Sequence, residues 1–431
     1  MTGQGTTRAV TMLLIALGAT GAHGQAQALP ADSLSLQEAI RLAVEREPGL
    51  RGERTEAEVS QGNLLQAGLK PNPTISVGRQ QQPGGMDHQT SVTVEWPLDL
   101  FRPAGRIAVA AREADAVRFR VADRERLLTA EVRSAYGAVA AATRERDVLR
   151  ELAETAERQL EVIRSRVDAG GAPPLDRDLF VVERRRIDAD RLLQDARVQN
   201  ARVALQRLLG LNPADQITLR DTLESLVDPH GAPPPIANGR PEARPDVRAA
   251  EADLRVADAA LDRARRDGRF DLSLFGTYTR MQFGFPQLGF GPNGNLQPVE
   301  DTSNLLAAGA TLTIPWRNDN RGEVAASTAR RLGADARRAA AELLARTEIS
   351  AASTLDQQAR AAVSLYAEEI RPLARRNIEV VRHTYQMGRG TVADVLAEQR
   401  RSLEIERAYT DALKQAYDAR TSLLSALGVQ P

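Results

Sequence analysis

The sequence predicts a mainly α fold with a small β part, built as a duplicated unit in which β-strands precede a hairpin of very long helices. Three observations predict it. A single ungapped shift of 218 residues carries Pro97 onto Pro315, Gly170 onto Gly388, Asp176 onto Asp394, Gly210 onto Gly428 and Pro213 onto Pro431, and lays "EVIR" (161–164) over "EVVR" (379–382). The chain therefore repeats itself. After Pro103 no proline occurs before Pro173, and apolar residues recur at Val132, Ala135, Val139, Ala142, Leu149, Ala153, Ala156, Leu160, Ile163 and Val167. These steps of three and four, interrupted at Arg146, make a heptad seam. Finally, alternation with a period of two stands in front of each such run.

The elements follow in order. Arg8, the apolar run "AVTMLLIALGATGA" and the small-residue sites "AHG" and "AQA" read as a signal peptide, 1–28, cleaved after Ala28, with Gly24 the second choice. An uncleaved anchor is the competing reading, disfavoured because the apolar run is too short to span a bilayer. The first repeat, 29–212, opens on "SLQEAIRLAVEREPGLRGERTEAEVSQGNLLQAG", read as one helical layer. A strand hairpin follows at 73–97: "PTISVG", then "TSVTVEW", in which Thr90, Val92, Val94 and Trp96 point one way and Ser91, Thr93 and Glu95 the other.

The long helical hairpin spans 103–210. Its first arm, at about 1.5 Å per residue, is a rod on the order of 100 Å. In "DAGGAPPLD", Gly170 or Gly171 takes the left-handed cap and the prolines forbid continuation. A second arm returns from about Leu175 to Leu209. A linker, 213–243, holds a short helical piece and a proline-rich tether.

The second repeat, 244–431, has a helix from "RPDV" and a strand hairpin at 269–315, with Phe270, Leu272, Leu274 and Tyr278 on one face and Leu306, Ala308, Ala310, Leu312 and Ile314 alternating later. Its helical hairpin, 318–428, runs from about Asn318 to Met387 and from Thr391 to Leu427. The stretches "RQQQPGGMDHQ" and Phe283 to Ser303 read as exposed loops.

Composition narrows the function. The 57 Lys+Arg balance 57 Asp+Glu, which gives no hint of nucleic acid. With no cysteine there is no disulfide, thiolate metal site or N-terminal lipid attachment. No later run reaches 18 apolar residues, so strands are the only route across a membrane. Four strands cannot close a barrel, so a membrane role requires several chains to pool them. Six of the 16 aromatics fall between Phe270 and Phe290, as expected where strands meet a bilayer interface. The competing reading is a small water-facing β-module on a coiled-coil rod.

Together the residues "LSLQEAIRLAVEREPGL", "AGLKPNP", "LLGLNP", "RPDV" and "YQMGRGTVADVLAEQR" resemble the TolC-like family of outer-membrane efflux factors, over nearly the whole mature chain. The stretch "AGLKPNPTISVG" is similar to the heavy-metal efflux subgroup. The resemblance implies a homotrimer whose twelve strands form an outer-membrane α/β barrel, with the helices in the periplasm of a Gram-negative bacterium. It implies a periplasmic adaptor and an inner-membrane pump as partners, outer-membrane lipid around the strands, and neither cofactor nor chemistry.

It also implies that the helical tips dock the adaptor and form the periplasmic gate. Carried over, Gly170, Gly171, Gly388, Arg389 and Gly390 make the tip turns, Val392, Val395 and Leu396 hold the tip helices together, and Asp394 faces a narrowed lumen with Asp176 as its equivalent. Ala397 stands where the family has a second acid, which argues against a double acidic gate. Asp394 also suits the first turn of a helix capped by Thr391, and the two roles are compatible.

His383 with Met387, and "MDH" at 86–88, suggest soft metal ligands, but their scatter favours incidental placement. Trp96 and Trp316 are read as plugs of the strand-to-helix joints in preference to interface anchors. No phosphate loop or nucleophile elbow occurs, so an enzyme is not indicated. The alternative class is a periplasmic coiled-coil adaptor or scaffold, for which a single helical hairpin inside a β-domain is expected.

Overall fold

A computed structural model describes residues 33–228 and 240–428. The segment read as a signal peptide, 1–28, the proline-rich part of the linker at 229–239, and Pro431 of the repeat lie outside the described residues.

The first helix of the described residues is α1 (Leu36–Arg46), whose N-terminus is closed reciprocally: the Glu38 amide donates to Ser35 Oγ and the Ser35 amide to Glu38 Oε2. The helix does not run on as expected. Pro48 has no N–H to continue it, so a new helix, α2 (Pro48–Gly68), starts there, with Glu47 Oε2 accepting from the Leu50 amide at 2.6 Å.

The first strands are β1 (Thr74–Gln81) and β2 (His88–Pro97), and the first rod is α3 (Arg102–Asp168), 67 residues of unbroken helix. Seam residues Val132, Val139, Leu149, Ala153, Ala156, Leu160 and Ile163 are all buried. The rod returns as α4 (Pro174–Leu208), and the linker contributes α5 (Leu223–Val227). The second repeat supplies α6 (Pro245–Asp267), β3 (Asp271–Phe290), β4 (Leu296–Thr313), α7 (Arg321–Leu365), α8 (Arg371–Gln386) and α9 (Val392–Ala426).

The repeats differ in one rod. Between α7 and α8, Tyr366–Ile370 makes a single π turn, with the Arg371 amide reaching back to the Tyr366 carbonyl. Pro372 explains it: with no amide hydrogen, and a ring that would strike the Glu368 carbonyl, it forces the ladder to widen. At the equivalent position α3 has Glu154 and stays α-helical. Elsewhere the duplication persists into the backbone. Gly170 and Gly388 have φ of 73° and 75°, and Gly210 and Gly428 have φ of 64° and 67°. All four lie in the left-handed region, where a side chain is costly.

The strands form one antiparallel sheet in the order β1-β2-β3-β4. The two hairpins are joined by β2 and β3, in register from His88 opposite Gln282 to Pro97 opposite Ser273. The segments read as loops are shorter than expected. β3 and β4 stay paired out to Phe290 opposite Leu296, past Gly284, Gly289 and Pro298, with a register shift between Phe285 and Leu288. A bulge at Pro286 absorbs the missing donor without ending the hairpin.

Packing concentrates where the rods meet the linker. Leu34 bridges Leu219 in parallel, and the Tyr136 hydroxyl, buried on α3, lies 2.8 Å from both the Leu34 carbonyl and Asp221 Oδ2. Around it Leu50, Leu128, Val132, Leu205 and Leu209 are fully buried. A second core joins α5 to α7 and α9 through Leu223, Val363, Tyr409 and Leu413. The "RPDV" motif works beside the end of α9: buried Arg244 grips Asp246 and Glu348 at 2.6 Å each and points toward the Ala426 carbonyl.

Candidate functional site

Two regions carry functional geometry: the closed ends of the rods, and the two faces of the sheet about a rod's length away.

At the first tip, α3 ends in a Schellman turn: the Gly170 amide donates to the Val167 carbonyl and the Gly171 amide to the Arg166 carbonyl, at 2.9 and 2.7 Å. The second tip repeats it, with Gly388 donating to Tyr385 and Arg389 to Thr384, at 2.9 and 3.1 Å. Gly170, and not Gly171, takes the left-handed position. Gly390 is under no such demand: its φ is not left-handed, and a Cβ there would meet the Tyr385 amide nitrogen at 3.4 Å, an ordinary contact.

The two aspartates differ. Asp394 is exposed and closes a capping box on α9, accepting from the Thr391 amide and hydroxyl at 3.0 and 2.6 Å while its own amide donates to Thr391 Oγ1. The Thr391 hydroxyl and amide hold the Asp394 carboxyl below the ordinary carboxylate range. Asp176 sits half-buried on α4, whose N-cap, Pro173, offers no side-chain bond. Its charge acts across to the other tip: Tyr385 of α8 is pushed up first by burial and then by Asp176. The same ring lies 5.5 Å beneath the Arg166 guanidinium of α3. Val392, Val395 and Leu396 are buried against Leu160, Ile163 and Phe180, while Asp394, Ala397 and Arg389 face outward.

Behind this cluster lie charges that sequence reading missed. Glu183 is buried on α4 yet bonded by Arg186 and by Arg400 of α9, at 2.5 and 2.8 Å. Burial alone would raise its carboxyl; the two guanidiniums hold it below the ordinary range. Nothing local in "VVERRR" marks this glutamate, because one of its partners comes from the other repeat.

Higher up, Glu406 of α9 accepts from Arg144 and Arg371, at 3.1 and 3.0 Å, and both guanidiniums stack on Tyr409, at 4.9 and 4.1 Å. Arg144 also reaches Glu224 of α5 at 2.5 Å. Burial pushes Glu406 up, and the two arginines override it and hold it down.

The sheet is two-faced. One face presents Ile75, Val77, Val92, Val94, Trp96, Leu272, Leu274, Tyr278, Leu306, Ala308, Ala310 and Leu312, which the register places in adjoining rows. The other is mainly polar, presenting Ser76, Ser91, Thr93, Glu95, Ser273, Thr277, Thr279 and Thr311 with Phe275, Ala307 and Leu305 among them. On this polar face Thr93 and Thr277 hydroxyls meet at 3.0 Å and Ser273 donates to Glu95 at 2.8 Å. Phe275 lies over Gly309, where a Cβ would come within 2.6 Å of the ring.

Trp96 and Trp316 do not plug the joints: they are 53% and 88% exposed. Phe101 and Phe270 are the rings that meet at the joint, edge to face at 5.0 Å. His383 and Met387 gather no further ligands, and among the described residues no group of three or more His, Asp or Glu side chains is placed to hold a metal ion. Among those residues no helix is long and apolar enough to cross a membrane.

The architecture matches solved structures. The chain is similar to CusC, whose structures describe transmembrane channel formation, with a TM-score of 0.75 at 16% identity over 91% of this chain and 92% of that one. It is similar to the outer membrane protein VceC of Vibrio cholerae, with 0.69 at 18% identity over 91% and 96%. It is also similar to the open state of the MtrE outer membrane channel of Neisseria gonorrhoeae, with 0.71 at 20% identity over 91% and 88%. No curated protein matches the chain in sequence. The model of the outer membrane efflux protein family matches residues 39–211 and 241–429, covering both repeats, and the chain belongs to that family.

Proposed function

We propose that the protein is the outer-membrane duct of a tripartite efflux pump, a passive conduit for small molecules or metal ions from the periplasm to the exterior. The observation that carries this is the sheet. It has one apolar and one mainly polar face, and among the described residues the outer edges of β1 and β4 pair with no further strand. An open edge is not tolerated in lipid, and pairing β4 with β1 of a sibling chain removes it. Three copies pool twelve strands into a barrel whose polar face lines water, and the rods continue the passage into the periplasm. Two helical hairpins, with strands ahead of them, do not suit an adaptor. The test is mass after mild-detergent extraction: the expected species is a trimer of the mature form of the 46.8 kDa chain, and a monomer soluble without detergent refutes the duct.

The exposed tips are the proposed docking surface for the adaptor, through the Gly170–Gly171 and Gly388–Gly390 turns with Arg389, and Asp394 is the proposed gate residue. Three Asp394 carboxylates brought to a common axis attract cations and resist anions. Asp394→Asn separates this from capping, because the amide oxygen still accepts from Thr391 while the charge is gone. Single channels of this variant are expected to lose cation block or cation selectivity with the helix content unchanged. An unaltered selectivity would leave Asp394 its cap and nothing more.

A further inference from the structure

The apolar face of the sheet ends abruptly. Its last apolar row is Val77, Val92, Tyr278 and Leu306, and the next is Arg79, Thr90, Arg280 and Asn304, in continuous register across all four strands. This boundary lies at the end away from the rods, since α3 follows the opposite end of β2 and α7 that of β4. From Leu272 to Arg280 the strand rises about 27 Å, or about 20 Å in height at a tilt of ~40°, close to the apolar band of a membrane barrel. The arginine row therefore falls at headgroup level on the outer leaflet, a placement that rests on the duct reading above.

Arg79 and Arg280 are both exposed, and among the described residues neither guanidinium takes part in an ion pair or hydrogen bond. The two stand two strands apart, about 9–10 Å between backbones, with the Thr90 hydroxyl between them and Asn304 on the flank. The next row outward is uncharged apart from His88: Gln81, His88, Gln282 and Thr302. The nearest carboxylate on this face of β3 and β4 is Glu300, opposite Gly284, four residues along β4 from Asn304 and so about 13 Å away. Two unpaired guanidiniums, directly above apolar surface and facing the same way as it, complement an anion that is itself attached to an acyl chain.

We propose that Arg79 and Arg280, with Thr90 between them, form a binding row for the phosphate of an outer-leaflet lipid headgroup, one row per protomer. The guanidiniums hold the phosphate oxygens, and the acyl chains lie against Val77, Val92, Tyr278 and Leu306. The phosphate must be lipid-borne, because the row alone is a shallow open surface and the apolar rows below supply the remaining contact.

The test uses the full-length purified oligomer and three probes: diphosphoryl lipid A, its dephosphorylated form, and inorganic phosphate. The parent is expected to prefer the diphosphoryl lipid. At about fivefold per arginine, Arg79→Gln with Arg280→Gln weakens that lipid by about 25-fold and leaves the dephosphorylated lipid unchanged. Millimolar inorganic phosphate is expected not to compete; full competition would show a free-anion site and overturn the lipid assignment. Equal affinity of the parent for both lipids, or of parent and double variant for the diphosphoryl lipid, also overturns it. The same preparations are read for conductance in phosphatidylcholine bilayers, where parent and double variant are expected to conduct alike. A parent that forms no channel removes the duct and the row together, whereas a conducting parent indifferent to lipid phosphate removes the row alone.

Discussion

Replacing Glu406 by alanine is expected to destabilise the folded chain by about 3–5 kcal/mol, the cost of leaving buried charge without its partner. Glu406 is the shared acceptor of Arg144 and Arg371, and its side chain is only 16% exposed. Arg144, 10% exposed, keeps one carboxylate, Glu224, after the change. Arg371 loses its ion pair and keeps the Tyr409 ring. The damage spreads because this cluster ties three elements to α9 at one level: α3 through Arg144, the linker helix α5 through Glu224, and the start of α8 through Arg371. Arg375→Ala is the control, since Arg375 reaches Glu406 at 3.6 Å from a side chain 66% exposed, where an ion pair contributes little. Chemical denaturation of the two variants followed by helical circular dichroism checks this. Equal midpoints would show that Glu406 is dispensable and that the packing of Tyr409 and Leu413 holds this level by itself.

How much of this was legible beforehand depends on the range of each interaction. The rods could be read because the seam from Val132 to Ile163 is a local period, and the tips because Gly170 and Gly388 are punctuation that only a left-handed turn requires. The face assignment of Val92, Val94 and Trp96 against Thr93 and Glu95 was equally local. The strand ends were not, because Gly284, Gly289 and Pro298 read as loop residues; a neighbouring strand and a bulge hold them in register. The π turn was missed although Pro372 marks it, since the surrounding period is strong enough to suggest a continuous helix. The bonds of Glu183 to Arg400 and of Glu406 to Arg144 cross from one repeat to the other, at separations of 217 and 262 residues. No window on a sequence sees such pairs, and the joint between strand and rod fails for the same reason: Phe101 meets Phe270 and leaves both tryptophans outside.

The other large effect tests the sheet, and neighbouring residues on one strand suffice. Val94 and Thr93 are adjacent on β2 and point to opposite faces, Val94 in the row of Ile75, Gly276 and Ala308, Thr93 against Thr277. The Val94 row is midway along the apolar band, between Leu272 and Arg280, so a lysine there is placed near the centre of the hydrocarbon. The cost is about 2–4 kcal/mol per copy, and a closed trimer carries three copies. Val94→Lys is therefore expected to abolish the detergent-resistant oligomer and leave the chain out of the outer-membrane fraction. Thr93→Lys meets water in the lumen, loses one hydroxyl contact, and is expected to assemble normally while shifting single-channel selectivity toward anions. The pair separates a membrane barrel from a water-facing β-module, because in the module both lysines are solvated and both variants behave alike. Similar yields of assembled oligomer from the two would remove the membrane role of the sheet, whatever the rods do.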